Sequence, residues 1–322
     1  MSKKDGNILV SSLTENQKRN AIKSPALSDL SERDAPWDKH KKHSETIANY
    51  YSSDREFISK GEKVNYCSDL LDFRLTPDPE AGAYKLKLDS ARFCRQRHCP
   101  ICQWRRSLRW KAKAYQAIPQ VTVDYPKHRW LFVTLTLKNC QISELRNTLS
   151  WVNEAFKRLT KLKEFPAIGW IKSVEVTRGK DGSAHPHIHA LLLVPPSYFH
   201  KDYLSQQRWC ELWQKCLRVD YKPVLDIQAI KRTPNFIIPE ILKYQCKESD
   251  LVADREWFLE LTRQLKGTRA IGVGGVLRPY MKDLEQDPDD LIGKGETDDS
   301  EVDEGHLFFG WKPREKKYRM IT

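Results

Sequence analysis

The stretch His185-Pro186-His187-Ile188-His189-Ala190-Leu191-Leu192-Leu193-Val194 carries three histidines in five residues and then runs on in aliphatic residues. Residues i and i+2 of a strand point to one face. A strand here sets His187 and His189 side by side, with Ile188 and Ala190 on the opposite face. Two neutral imidazoles at that spacing can share one divalent ion. The plain alternative is a strand end whose polar residues face water. Two same-face histidines entering a buried run count against it.

Upstream, residues 169–178 read as a second strand, and Gly179-Lys180-Asp181-Gly182 as the turn between the two. A hairpin centred on Asp181 places Glu175 opposite His187, and cross-strand partners stand ~5 Å apart on one face. Glu175, His187 and His189 then form a two-histidine, one-carboxylate site suited to Mn²⁺ or Mg²⁺. That reading depends on register, because a bulge would turn Glu175 away.

The chain has 322 residues, enough for one large domain or two small ones. Its net charge of +12 favours an anionic polymer as partner. Ten Trp, twelve Tyr and eleven Phe supply stacking surfaces as well as core. No apolar run approaches the ~20 residues of a membrane helix, and the charged first residues lack a signal-peptide core. A cytoplasmic location without membrane contact is expected, with the eight cysteines as thiols or metal ligands rather than disulfides.

Composition divides the chain into five parts. Residues 1–50 are rich in Ser, Lys, Asp and Glu and are expected to be disordered, apart from a short helix near residues 14–21. Residues 51–120 hold a Cys-rich, basic segment, residues 121–284 a globular part with the histidine strand, residues 285–304 an acidic disordered linker, and residues 305–322 an aromatic tail that docks back on the core. Within the second part, Cys94, Cys99 and Cys102 have the spacing of a thiolate knuckle for tetrahedral zinc. A fourth ligand is required. Cys67 is preferred to His98, whose place beside Cys99 makes it an awkward co-ligand. Between Arg92 and Lys113 there are eight basic residues and no acidic one, with Trp104 and Trp110 interleaved. On a helix over residues 103–117, Arg105, Arg106, Arg109 and Lys111 would face phosphates, together with Arg95 and Arg97 before it.

Residues 130–137 alternate as a strand, with Leu131, Val133 and Leu135 on one face and Phe132, Thr134 and Thr136 on the other. Leu145, Leu149, Val152, Phe156 and Leu159 mark an amphipathic helix capped by Ser143 and ending near residue 163. Helices are expected over 202–217 and 254–266, and strands over 224–230 and 271–276. The last of these is Gly-rich but lacks the Lys-Ser/Thr of a phosphate loop, and no helicase or ATPase motif is present. Residues 239–248 read as a helix starting on Pro239, with Glu240, Tyr244 and Lys247 on one face. A phenol beside a divalent ion suits in-line attack on a phosphodiester. Lys247 can steady the charge that develops, and Glu240 can act as general base on water.

The strand Phe132-Val133-Thr134-Leu135-Thr136-Leu137, the His-Pro-His-Ile-His run and Lys243-Tyr244-Gln245-Cys246-Lys247 resemble, in order and spacing, the three motifs of plasmid rolling-circle replication initiators of the HUH endonuclease superfamily. The Cys-rich segment resembles the branch of that family with one tyrosine and a glutamate. The resemblance covers roughly residues 90–280. It implies an α+β fold with a central antiparallel β-sheet, flanking helices and the tyrosine helix over the metal. It also implies a strand-specific nickase. Tyr244 would become linked to a 5′ phosphate at a plasmid origin and leave a 3′-OH primer, while Glu240 would direct water in termination. His185, one step nearer the turn, reads as a residue that touches DNA or supports the ligands. Host helicase and DNA polymerase would be the protein partners, in a bacterial cytoplasm. A transposase or relaxase of the same superfamily, or a zinc-containing DNA-binding repressor, are the competing readings.

Overall fold

A computed structural model describes residues 24–78, 83–231, 237–242, 245–282, 291–292 and 305–321. The strands are β1 (Leu70–Asp78), β2 (Ala83–Ala91), β3 (Arg129–Thr136), β4 (Gly169–Arg178), β5 (Ala184–Val194), β6 (Leu225–Ile230), β7 (Ile271–Gly275), β8 (His306–Lys312) and β9 (Lys317–Ile321). The helices used below are α1 (Pro36–Ser52), α2 (Ile58–Asn65), α3 (Pro100–Asp124), α4 (Leu145–Leu159), α5 (Gln206–Leu217), α6 (Ile238–Ile241), α7 (Glu248–Ala253) and α8 (Arg255–Leu265). Among the described residues no helix is long and apolar enough to cross a membrane. The chain divides into two compact units, Met1–Arg105 with Asp290–Thr322, and Arg106–Asp289. The division falls inside α3, not near residue 120 where the change of composition suggested it.

The first unit carries an antiparallel sheet of order β2-β1-β8-β9. The aromatic tail thus docks as two strands, with Phe309 and Tyr318 fully buried and the Tyr318 hydroxyl donating to the Ser68 carbonyl at 2.6 Å. The structure also corrects the expectation of disorder through residue 50, since α1 is ordered from Pro36. Its buried stripe runs Trp37, His40, Lys41, Ser44, Ile47, Ala48 and Tyr51, at helical spacing. Polar residues occupy the middle of that stripe, which hides the period from a reading of hydrophobicity alone. Lys41 lies inside because its ammonium donates to the carbonyls of Asn65 and Cys67 at 2.8 and 2.7 Å. The helix expected near residues 14–21 lies outside the described residues.

The second unit is built on an antiparallel sheet of order β6-β3-β5-β4-β7, so the histidine strand is central. Alternation divides each strand between two faces. On one face Phe132, Ile171, Leu191, Leu193, Ile271 and Val273 pack with Ala114, Ile118 and Val121 of α3 and with Ile238 and Ile241 of α6. On the other, Phe156 of α4 meets Trp170 edge-on and Trp213 of α5 donates its indole N–H to the Thr136 carbonyl. With both faces covered, β5 is buried along nearly its whole length. The β4–β5 turn closes through Gly182 at φ +82°, a conformation that favours glycine.

Three local expectations give way to neighbours. Ser205 caps α5 by accepting from the Arg208 N–H at 3.1 Å, so that helix begins at Gln206 rather than at 202. α4 begins at Leu145 after a short 3₁₀ turn, with Glu144 rather than Ser143 at its N-cap. The helix expected over 239–248 is not continuous: α6 stops at Ile241, and Lys247 is extended at the N-cap of α7. Backbone groups there bond outward instead of along a helix. The Leu242 carbonyl accepts from Ser107 Oγ at 2.6 Å, and the Gln245 carbonyl from the Val176 N–H at 2.7 Å. Glu240 and Lys247 therefore do not share a helical face. Lys243 and Tyr244 lie outside the described residues.

Candidate metal centres

β4 and β5 pair in the register the turn implied, with Glu175 opposite His187 and Ser173 opposite His189. Glu175 Oε2 stands 3.2 Å from His187 Nε2 and 3.0 Å from His189 Nε2. The two rings are 4.8 Å apart and nearly perpendicular, so both Nε2 atoms are aimed at one carboxylate oxygen. All three residues are at most 9% exposed.

The tautomers carry the chemical argument. His187 Nδ1 lies 3.2 Å from the His185 carbonyl, which can only accept, so Nδ1 holds the proton. His187 Nε2 then either carries a second proton or turns its lone pair on the carboxylate, a repulsion that a shared cation relieves. His189 Nδ1 lies 3.2 Å from Thr134 Oγ1, which steadies its ring in the same way. Thr134 pairs with His189 across β3 and β5. Histidine ligands usually have their second nitrogen held like this. The donor set and its orientation fit a divalent ion. Thr134 was legible as a strand residue, but its service to His189 needed the β3–β5 register.

His185 stands outside the cluster. Its Nδ1 pairs with Asn139 Oδ1 at 2.7 Å and its ring stacks on His187 at 5.2 Å. Burial lowers its imidazole pKa from the ordinary value, and the neighbouring His187 adds to that. Glu240 is exposed on α6 and is also outside the cluster. It acts on Lys111, whose ammonium is lowered by burial against the pull of that carboxylate. Lys247 is exposed. Cys246, between it and the tyrosine segment, is fully buried, and burial pushes its thiol well above the ordinary range, with Asp250 and Glu175 adding to the shift.

In the first unit, Cys67 joins Cys94, Cys99 and Cys102, with all four sulfurs within 4.8 Å of one another. Cys67 and Cys102 sulfurs are 3.6 Å apart, Cys94 and Cys102 sulfurs 3.7 Å. Disulfide sulfurs would lie ~2.05 Å apart. Sulfurs bound to tetrahedral zinc at ~2.3 Å lie ~3.8 Å apart, so the spacing fits a structural zinc. Burial alone would raise the Cys99 thiol, but hydrogen bonds from Cys102, Cys67 and Cys94 hold it well below the ordinary range. Four thiolates gathered this closely would carry negative charge that a bound cation balances. His98 is buried but is not one of these donors.

The basic residues beside the cluster divide. Arg105 donates to the carbonyls of Leu291 and Ile292 at 2.8 and 2.7 Å and lies over the Trp37 and Trp104 rings. Arg106 is 6% exposed. Both are engaged by the fold rather than presented to solvent. Arg95 is exposed, and Arg97, Arg109 and Lys111 are half-buried.

The family that matches is described as a replication protein, over residues 85–319. The chain belongs to the replication protein family. That span holds Cys94, Cys99, Cys102, the Glu175 cluster and Tyr244, while Cys67 lies upstream of it. Among similar replication proteins, the Protein rep of Lactiplantibacillus plantarum is 36% identical over 284 residues, covering 82% of this chain and 87% of its own. That of Streptococcus pneumoniae is 36% identical over 235 residues, covering 70% and 72%. That of Bacillus amyloliquefaciens is 30% identical over 320 residues, covering 88% and 93%. No solved structure matches. The resemblance to plasmid rolling-circle replication initiators is met at the level of the family.

Proposed function

We propose that this replication protein is a metal-dependent, strand-specific endonuclease that nicks a plasmid origin with Tyr244 as nucleophile. The observation that carries the reading is the convergence of His187 Nε2 and His189 Nε2 on one oxygen of Glu175, buried on adjacent central strands. Mn²⁺ or Mg²⁺ held by these three side chains would polarise a scissile phosphate and neutralise charge developing on it. The Tyr244 oxygen attacks phosphorus, forming a tyrosyl 5′-phosphodiester, and the P–O bond to the departing 3′ oxygen breaks to leave a 3′-OH primer. The Val176 N–H, next to Glu175, donates to the Gln245 carbonyl at 2.7 Å, which ties the residue that follows Tyr244 in the sequence to the strand of the cluster. Lys247 steadies the developing charge. Glu240 serves termination, taking a proton from water as the water oxygen bonds to phosphorus and the P–O bond to the departing 3′ oxygen breaks. Zinc on the four cysteines would stabilise the first unit and the basic residues beside it. Origin DNA is the substrate, and host helicase and polymerase extend the primer.

The test is an adduct assay with Mn²⁺ and a single-stranded origin oligonucleotide. An SDS-resistant adduct is expected, mapping to Tyr244 by mass spectrometry and absent from Tyr244→Phe. Glu240→Gln should form the adduct but not hydrolyse the second phosphodiester. Sequence-specific binding with no adduct would overturn the reading in favour of a repressor.

A further inference from the structure

The face of the second sheet turned away from the Glu175 cluster carries a cavity of about 510 Å³, within the ~300–1,000 Å³ of small-molecule sites. Strand alternation places it there. Glu175 shares the odd-numbered face of β4 with Ile171, whereas the cavity is lined by Trp170 and Lys172 of β4 and by Gly272 of β7. α4 contributes Arg146 and Asn153, and the segment after α8 contributes Arg269. Among the described residues three cations line the cavity and no acidic side chain does.

These cations are short of counter-charge. Among the described residues Arg146, Lys172 and Arg269 form no ion pair. Arg146 gives one guanidinium N–H to the Arg263 carbonyl at 2.7 Å, and Lys172 donates to Asn153 Oδ1 and lies 4.8 Å from the Phe156 ring centre. Burial pulls the Lys172 ammonium down to about 8, against a counter-pull from Glu154. An ammonium withdrawn from water onto a neutral amide and a ring is a site that an anion completes. Beside it stands an apolar wall. The Trp170 indole rests against Gly274, and a Cβ at Gly272 would stand 3.3 Å from Lys172 Cε. Gly272 therefore leaves this side of the cavity open. Clustered cations beside a flat apolar wall match one chemical class, a phosphate attached to a planar base.

We propose that this cavity binds a nucleotide, its phosphate between Arg146, Lys172 and Arg269 and its base along Trp170. The site is separate from the nicking centre, and its existence does not depend on the assignment of Tyr244. A free nucleotide and one unit of single-stranded DNA share this chemistry, and the measurement separates them. An acidic peptide, such as the chain's own residues 285–304, is the competing occupant.

The full-length protein would be titrated calorimetrically with dTMP, a dT hexamer, inorganic phosphate and a synthetic peptide of residues 285–304. Binding of dTMP or the hexamer, at least tenfold tighter than phosphate, is expected. The loss should be at least tenfold in Lys172→Met, in Arg269→Glu at an exposed position, and in Gly272→Val, which fills the cavity without changing charge. A hexamer preference assigns the site to a DNA strand, and equal or tighter dTMP binding assigns it to a free nucleotide. Adduct formation by these variants should stay within twofold of the parent. Phosphate binding as tightly as dTMP, peptide binding in place of nucleotide, or nucleotide binding unchanged in Arg269→Glu and Gly272→Val would each overturn the proposal.

Discussion

The two candidate metal centres are made in opposite ways. In the first unit, four sulfurs come from the residue stretch after α2, the stretch after β2 and the start of α3, and they fill a tetrahedron by themselves. In the second, two imidazoles and a carboxylate come from neighbouring residues of one hairpin and leave coordination positions for something else. A closed donor set suits a structural ion, an open one a catalytic ion. Donors gathered from distant segments make the ion part of the folding problem. Donors carried on two central strands are positioned by the sheet whether or not an ion is bound.

The largest effect that would break this contrast is at the closed set. Structural zinc contributes about 10–16 kcal/mol of apparent binding energy in small zinc domains. Cys102→Ser is expected to abolish zinc retention and the cooperative thermal transition of the first unit. Metal analysis together with a circular dichroism melt checks this, and zinc retained with an unchanged melt would show that the sulfurs need no ion. At the open set activity should suffer and the fold should not. His189→Ala is expected to reduce adduct formation by more than about 100-fold, beyond the ~10–100-fold typical of groups that only orient a ligand. Its melting temperature should stay within a few degrees of the parent. A matching collapse of stability would mean that this centre, too, is structural. Thr134→Val sharpens the point with the smallest change. It keeps the side-chain shape and removes the oxygen beside His189 Nδ1, and is expected to weaken Mn²⁺ binding about tenfold in a calorimetric titration. Unaltered affinity would reduce Thr134 to a packing residue.

Legibility followed the range of the physics. The Glu175 cluster was readable because strand alternation and a short turn are local rules, and β4–β5 obeys both without a bulge. Cys67 was readable because a tetrahedral ion requires a fourth donor. The order of α1 was not, because Lys41 and His40 occupy its buried stripe and are tolerated only through contacts made elsewhere in the fold. The first sheet was hidden for a different reason. β1 pairs with β8, some 230 residues later in the chain, and nothing local to either strand announces the other. The tyrosine segment misled in the opposite direction. Its spacing is helical, but Ser107 and Val176 take the carbonyls of Leu242 and Gln245 and break the helix.

From the sequence alone came the donors this replication protein carries and which of them share a strand face. Side-chain identity and a period of two carry that information without reference to the rest of the chain. The tertiary structure alone decided how those groups are held. It gave Thr134 to His189, withdrew Arg105 and Arg106 into the fold, opened a basic cavity behind the sheet and interrupted the helix before Lys247. Each of those outcomes depends on a buried polar group finding its partner in a distant segment, and local sequence carries no signal of where that partner lies.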